Sequence, residues 1–269
     1  MLILKGINKL RFKNKNAIVL AGSKGIGAAL ALALHAEGSN VICVSRNIQN
    51  LEELKKSIPI KDNLFLIYKG DVSDCDLAKN IHKYAKKHIG KIDILFLNSG
   101  GPPPGKYIDV LDEHWEEAIQ SLLLGQIRMF CEFVPEMEKN KYGRVLNLGS
   151  TVMQEPPETM ILSSTVRAAM ATYCKAASLS VAKNGVTVNT ISTGGVKTER
   201  LLNLFKKPAE DLGMTLEEKL SETAASIPIN RFAEPDEFIQ LILFLASDAS
   251  SYVTGQTIGI DGGLLKATF

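Results

Sequence analysis

Residues 16–38, N-A-I-V-L-A-G-S-K-G-I-G-A-A-L-A-L-A-L-H-A-E-G, decide the fold of this 269-residue chain. The apolar run 17–20 reads as a buried strand, three glycines follow, and an alanine-rich helical pattern continues over 25–36. Strand, tight loop and helix start are therefore consecutive. At this spacing Gly22 is expected to supply the positive φ of the turn, Gly25 to let the backbone approach a ligand, and Gly27 to let the helix lie tightly on the strand. Unpaired N–H groups and the positive end of the helix dipole then form an anion site over the loop, suited to a pyrophosphate. Glycine loops also serve as plain turns; the strand before and the helix after are what favour the phosphate reading.

Outward from this stretch, strand-like and helix-like segments alternate. A short apolar strand over 41–44 ends at Ser45 and Arg46, a helical segment covers 49–57, and a strand over 64–68 leads into Gly70-Asp71-Val72. A polar helix over 75–88 precedes a strand over 92–97, whose unbroken apolar text suits a parallel sheet covered on both faces. Asn98-Ser99-Gly100-Gly101 and three prolines follow. A helix from Asp112 to roughly Phe133 carries Glu113, Glu116 and Glu117 at its electropositive end, with His114 on its surface. A strand over 144–148 delivers Gly149-Ser150, a proline-containing loop leads to a helix over 163–183, and a strand over 187–191 ends near Thr193-Gly194. This alternation predicts a doubly wound parallel sheet with ligands at its carboxyl edge.

Composition sets the remaining bounds. Hydrophobic residues are 45% and charged residues 22% of the chain, ordinary values for one soluble globular domain over 1–269. The net charge of +2 and the lack of a long basic block give no support to nucleic acid or anionic membrane partners. Cys43, Cys75, Cys131 and Cys174 form no C-x-x-C pair and have no His at metal spacing. They read as buried thiols with no metal, which fits a reducing cytoplasm. The opening M-L-I-L is too short for a signal-peptide core, and no apolar run approaches the length of a membrane span.

The G-x-x-x-G-x-G spacing, preceded by Ala21, resembles the T-G-x-x-x-G-x-G text of the short-chain dehydrogenase/reductase family. Asn98-Ser99-Gly100-Gly101 is similar to that family's N-N-A-G element, and Thr193-Gly194-Gly195-Val196-Lys197-Thr198 to its P-G-x-x-x-T loop, with Thr193 in place of Pro. The tail is the most specific part, through Asn230-Arg231-Phe232, Phe244-Leu245-Ala246-Ser247-Asp248, Tyr252-Val253-Thr254-Gly255-Gln256 and Asp261-Gly262-Gly263. The resemblance covers nearly all of 12–264. It implies a Rossmann-type sheet of about seven parallel strands with helices on both faces, a helical substrate lid over 199–226, and a homo-oligomer, a tetramer. It also implies cofactor contacts at Gly22, Ser23, Lys24, Gly25, Ile26, Gly27, Ser45, Arg46, Asp71, Val72, Asn98, Gly100, Arg167, Gly194, Val196 and Thr198. In dinucleotide folds an acid at the end of the second strand accepts from the adenosine ribose, whereas a cation pairs with a 2′-phosphate. Two surface cations would be ordinary, but Arg46 and Lys24 converge on one expected site, which favours NADP(H).

The family's catalytic text is broken. Its carbonyl-polarising Ser falls on Ser150, but its Tyr falls on Ser163 and its Lys on Arg167, while its helical Asn falls on Leu122 in register with Trp115 and Gly125. Tyr173 is no substitute, since ten helical residues span about 15 Å. Arg167 can hold ribose hydroxyls but cannot shuttle a proton, and a Ser hydroxyl is a weaker acid than a phenol. Glu155 and Glu158 are conceivable acids, although surface carboxylates are the plainer reading. General acid–base catalysis contributes about 10² to 10⁴-fold, whereas positioning supplies roughly 7 to 11 kcal/mol, so the loss of Tyr slows hydride transfer but need not abolish it. The departure resembles a divergent subgroup of 3-oxoacyl-acyl-carrier-protein-reductase-like proteins. Two readings stand: an NADP(H)-dependent oxidoreductase acting on a small-molecule ketone or secondary alcohol with an atypical active site, or a catalytically weak NADP(H)-binding redox sensor or oligomeric partner.

Overall fold

A computed structural model describes residues 11–59 and 61–267, so the opening M-L-I-L lies outside the described residues. Seven strands form one sheet: β1 (Asn16–Leu20), β2 (Asn40–Ser45), β3 (Phe65–Lys69), β4 (Ile94–Leu97), β5 (Gly143–Leu148), β6 (Val186–Thr193) and β7 (Thr257–Ile260). Their order is β3-β2-β1-β4-β5-β6-β7, and every pairing is parallel. The doubly wound arrangement is as the alternation predicts. The boundaries of β1 to β6 each fall within two residues of the periodicity reading, which gave no range for β7.

Helices cover both faces because the central strands are apolar on both sides. On one face α1 (Gly25–Ala36), α2 (Ile48–Lys56) and α9 (Pro235–Ala246) bury Leu30, Leu34, Leu51, Phe238 and Ile242 against Val19, Val41 and Phe96. On the other, α3 (Leu77–His88), α5 (Gly125–Lys139) and α6 (Ile161–Val181) bury Ile81, Met129, Phe133 and Met170 against Ile18, Leu95 and Val145. Each such side chain contributes about 1.5–3 kcal/mol relative to exposure. Residues 199–226, expected as a helical lid, hold α7 (Glu199–Asp211) and α8 (Leu216–Ala224). Among the described residues no helix is long and apolar enough to cross a membrane.

Two expectations require correction. The helix beginning at Asp112 is not continuous: α4 (Asp112–Ile119) passes through a π-helical segment, Gln120–Leu124, before α5 begins. Backbone crowding accompanies the break, since a Cβ at Gly125 would lie 2.0 Å from the Val72 carbonyl oxygen. The cysteines also divide. Cys43 and Cys174 are buried, but Cys75 and Cys131 are exposed. Cys75 lies in the turn before α3, and Cys131 falls on the outer face of α5, whose inner face is filled by Met129, Phe130, Phe133, Val134 and Met137.

Two outcomes are expected. Gly125→Ala must displace the Val72 backbone or the helix, destabilising the protein by about 1–3 kcal/mol and lowering Tm by roughly 2–4 °C per kcal/mol in thermal unfolding. A thiol reagent added to the native protein modifies Cys75 and Cys131 first, whereas Cys43 and Cys174, whose burial holds both thiols up at about 12, react only on unfolding.

Candidate functional site

The loop joining β1 to α1 turns by a different device from the one its glycines suggest. The left-handed step falls on Ala21 (φ 47°) and Gly25 (φ 56°), not on Gly22. Gly22 is needed for space, because a Cβ there would sit 2.5 Å from Cys43 Sγ on β2. Holding Ala21 left-handed costs roughly 1–2 kcal/mol, supplied by the surrounding packing. At Gly27 a Cβ would approach the Ala21 carbonyl oxygen to 2.4 Å, so glycine seats α1 against the loop. Lys24 precedes α1 without a side-chain capping bond, leaving the first helical N–H groups open to an anion. Ser23 and Ser45 hydroxyls lie 2.8 Å apart and tie the loop to the end of β2.

From this loop a groove runs along the carboxyl ends of the strands in two connected chambers. The first, about 720 Å³, is lined by Ser45, Arg46, Asp71, Val72 and His114 among others. Arg46 is exposed and stands 3.7 Å from Asp71. His114 is more than helix surface. Its Nδ1 accepts the Leu111 N–H at 3.2 Å, tying the residue before α4 to the first turn, and it also lines the chamber. The clue in the sequence was an apolar residue at the cap position three before a polar ring.

The second chamber, about 600 Å³, brings together Ile26, Ser150, Ser163, Arg167, Thr193, Gly194, Val196 and Thr198. It shares Ala21, Lys24, Asn98, Ser99 and Gly100 with the first, which makes the groove continuous. Ser150 Oγ accepts the Val152 N–H at 3.5 Å at the head of a short 3₁₀ turn, Thr151–Met153. Arg167 donates from Nε to Ser163 Oγ at 3.2 Å and from Nη1 to the Leu148 carbonyl at 2.7 Å. Burial, and then the charge of Arg200, draw its pKa down to about 10, which keeps it cationic near neutral pH. Thr198 Oγ1 accepts the Leu201 N–H at 3.4 Å and so starts α7. Thr193 Oγ1 is buried on the chamber wall with no hydrogen-bond partner.

Sequence reading missed Arg200, whose guanidinium donates to the carbonyls of Gly101 at 3.2 Å and Pro102 at 3.5 Å, bringing the start of α7 onto the loop after β4. Its position one residue beyond the Thr198-Glu199 loop exit was the available signal. Lys24, expected beside Arg46, instead places Nζ 2.7 Å from Glu199 Oε2. Residues expected to stand aside do so. Tyr173 packs edge-on against Phe130 with its hydroxyl 3.6 Å from Cys131 Sγ, and Leu122 is buried with Ala118, Leu162 and Val166. Glu155 accepts the Lys266 N–H at 2.7 Å and Glu158 pairs with Lys106 at 2.9 Å, both outside the groove lining.

Comparison with known proteins agrees with this geometry. The family profile described as enoyl-(acyl carrier protein) reductase matches residues 20–265. NADPH-dependent reductase BacG of Bacillus subtilis is 28% identical over 255 residues, covering 94% of this chain and 98% of that protein. The 3-oxoacyl-[acyl-carrier-protein] reductase FabG of Thermotoga maritima is 32% identical over 262 residues, covering 95% and 100%. Among solved structures, L-sorbose reductase from Gluconobacter frateurii, complexed with NADPH and L-sorbose, superposes with a TM-score of 0.90 at 26% identity, covering 96% of this chain and 99% of that one.

Proposed function

The chain belongs to the short-chain dehydrogenase/reductase family, and on that premise we propose an NADPH-dependent reductase that moves a hydride between cofactor and a ketone or secondary alcohol. The observation that carries this reading is the continuous groove from the uncapped start of α1 to Ser150, Ser163 and Arg167. The whole chain acts as one unit, with 199–226 as its lid.

The residues present fit the cofactor. The open N–H groups over 23–27 suit a pyrophosphate, and Arg46 with Lys24 suits a 2′-phosphate, for which each cation would leave an exposed carboxylate partner. Asp71 and Val72 border the adenine end. Asn98, Gly100, Gly194, Val196 and Thr198 border the nicotinamide end, where the unpartnered Thr193 hydroxyl offers a further polar contact. Bound there, the cofactor supplies or accepts the hydride. Ser150 Oγ polarises the carbonyl. Arg167, fixed through Leu148 and Ser163, orients ribose and nicotinamide through one of its remaining N–H groups. Ser163 relays a proton from water.

One observation favours the catalytically weak alternative: Ser163 is buried and its oxygen already accepts from a guanidinium that is cationic near neutral pH. Activity separates the two readings. The exposed Leu179 and Tyr252 support a homo-oligomeric, tetrameric assembly, which light scattering tests. The free cysteines support a reducing cytoplasmic setting.

Parallel titrations are expected to give tight NADPH and weak NADH binding, with Arg46→Glu weakening NADPH by roughly 10- to 100-fold and sparing NADH. Binding of neither nucleotide sinks the proposal. Ser150→Ala is expected to lower kcat/KM by about 10²-fold with NADPH affinity unchanged; an unchanged rate leaves only the binding half. Because Arg167 holds its proton until pH rises through about 10, its contribution to the rate stays constant from about pH 6 to 9 and is lost above that range, which a kcat/KM profile measures.

A further inference from the structure

Four charged side chains line the chamber at the Ser150 end: Lys24, Arg167, Glu199 and Arg200. Glu199 is the sole acid of the set, and its Oε2 is occupied 2.7 Å from Lys24 Nζ. Two guanidiniums remain. Among the described residues, no carboxylate lies within ion-pair distance of either. Arg167 spends N–H groups on Ser163 Oγ and the Leu148 carbonyl, and Arg200 on the carbonyls of Gly101 and Pro102. A guanidinium has five such donors, so both keep N–H groups that no protein acceptor takes.

The placement of Arg200 depends on a glycine. A Cβ at Gly101 would lie 2.0 Å from Arg200 Nη2 and 2.6 Å from its Cζ, so any side chain at that position would push the guanidinium away. Arg167 is held by a 21-residue helix and by the last carbonyl of β5. Burial lowers the pKa of both groups, and the charge of Arg200 lowers that of Arg167 further. Two like charges drawn partly out of water without a counter-ion are unfavourable until an anion joins them.

On the cofactor reading above, the nucleotide phosphates already have donors at the start of α1 and at Arg46 and Lys24. The start of α1, Gly25 to Gly27, lines the same chamber as Arg167 and Arg200, so a pyrophosphate there would be met by backbone N–H groups and Lys24 while both guanidiniums keep N–H groups to spare. The anion they await is therefore on the second reactant. We propose that the substrate of this reductase carries a carboxylate, held between Arg167 and Arg200 beside the carbonyl that faces Ser150: an oxo acid, not a neutral ketone or sugar. A planar carboxylate presents two oxygens, each able to meet one guanidinium edge-on. Since Arg200 belongs to the lid, the same carboxylate ties the lid to the floor of the site. This inference rests on the proposed reductase function.

The test uses the full-length protein saturated with NADPH and titrated by calorimetry with the α-, β- and γ-oxopentanoates, their methyl esters and phenyl phosphate, with NADPH oxidation followed in parallel. At least one oxo acid is expected to bind roughly tenfold or more tightly than its ester. Arg200→Gln should weaken that acid by roughly 10- to 100-fold while ester and NADPH affinities stay within about twofold, and Arg200→Lys should recover part of the loss. Esters binding as well as acids, no acid binding to the NADPH complex, or phenyl phosphate surpassing every acid would each overturn the assignment. So would an equal loss of NADPH affinity in Arg200→Gln, which would give the cation to the cofactor. Failure of the wild-type protein to bind NADPH would instead remove the reductase reading on which the assignment stands.

Discussion

The groove exists because the strand order reverses beside β1. With β2 on one side and β4 on the other, the segments leaving β1 and β4 turn toward opposite faces of the sheet and cannot pack on each other. Parallel register then brings every carboxyl end to the same edge. The glycine loop after β1, Asn98 to Gly101 after β4, Gly149 and Ser150 after β5, and Thr193 and Gly194 after β6 therefore meet along one line. Rigid apolar strands fix their relative positions, while the polar groups stay at the rim where ligands reach them.

Electrostatically the groove is graded: Asp71, Glu116 and Glu117 line the first chamber with Lys24 and Arg46, whereas Glu199 is the sole acid lining the second. Asp71 stands by Arg46 and Glu199 by Lys24, in exposed pairs that contribute little and exchange readily. The helix dipole adds positive potential over the loop. Arg167 and Arg200 differ from the outer pair in being less hydrated and in lacking acidic partners. The inner end of the groove thus holds the uncompensated charge, next to the hydroxyls of Ser150 and Ser163.

Much of this was legible in the text. Val19, Leu30 and Phe96 announce their elements through period and continuity, because burial on one or both faces dictates which residue types are tolerated there. Ser150, Ser163 and Arg167 were brought together by the family resemblance, whose register puts Ser163 thirteen residues after Ser150 and Arg167 one helical turn further on. What escaped depends on contacts between distant segments. Gly22 is small because of Cys43, and Gly101 because of Arg200. The exposure of Cys131 follows from helix phase, and the role of His114 from a bond to its own cap. None of these carries a local signal strong enough to outweigh the ordinary reading of the residue.

The π-helical segment between α4 and α5 bears on chain length. Before and within it, Ala118 and Leu122 pack with Leu162 and Val166; after it, Met129, Phe130 and Phe133 join the main sheet core. One extra residue in a wider turn lets a single rod serve two cores whose directions differ. Removing a residue there would restore an unbroken α-helix and rotate the 15 residues of α5 by about 100°. Cys131 and its polar neighbours would swing toward the sheet, and the aromatic face would turn to solvent. Within 120–124, insertions and deletions should therefore be far less tolerated than changes of residue type: the number of residues, more than their identity, carries the structural information.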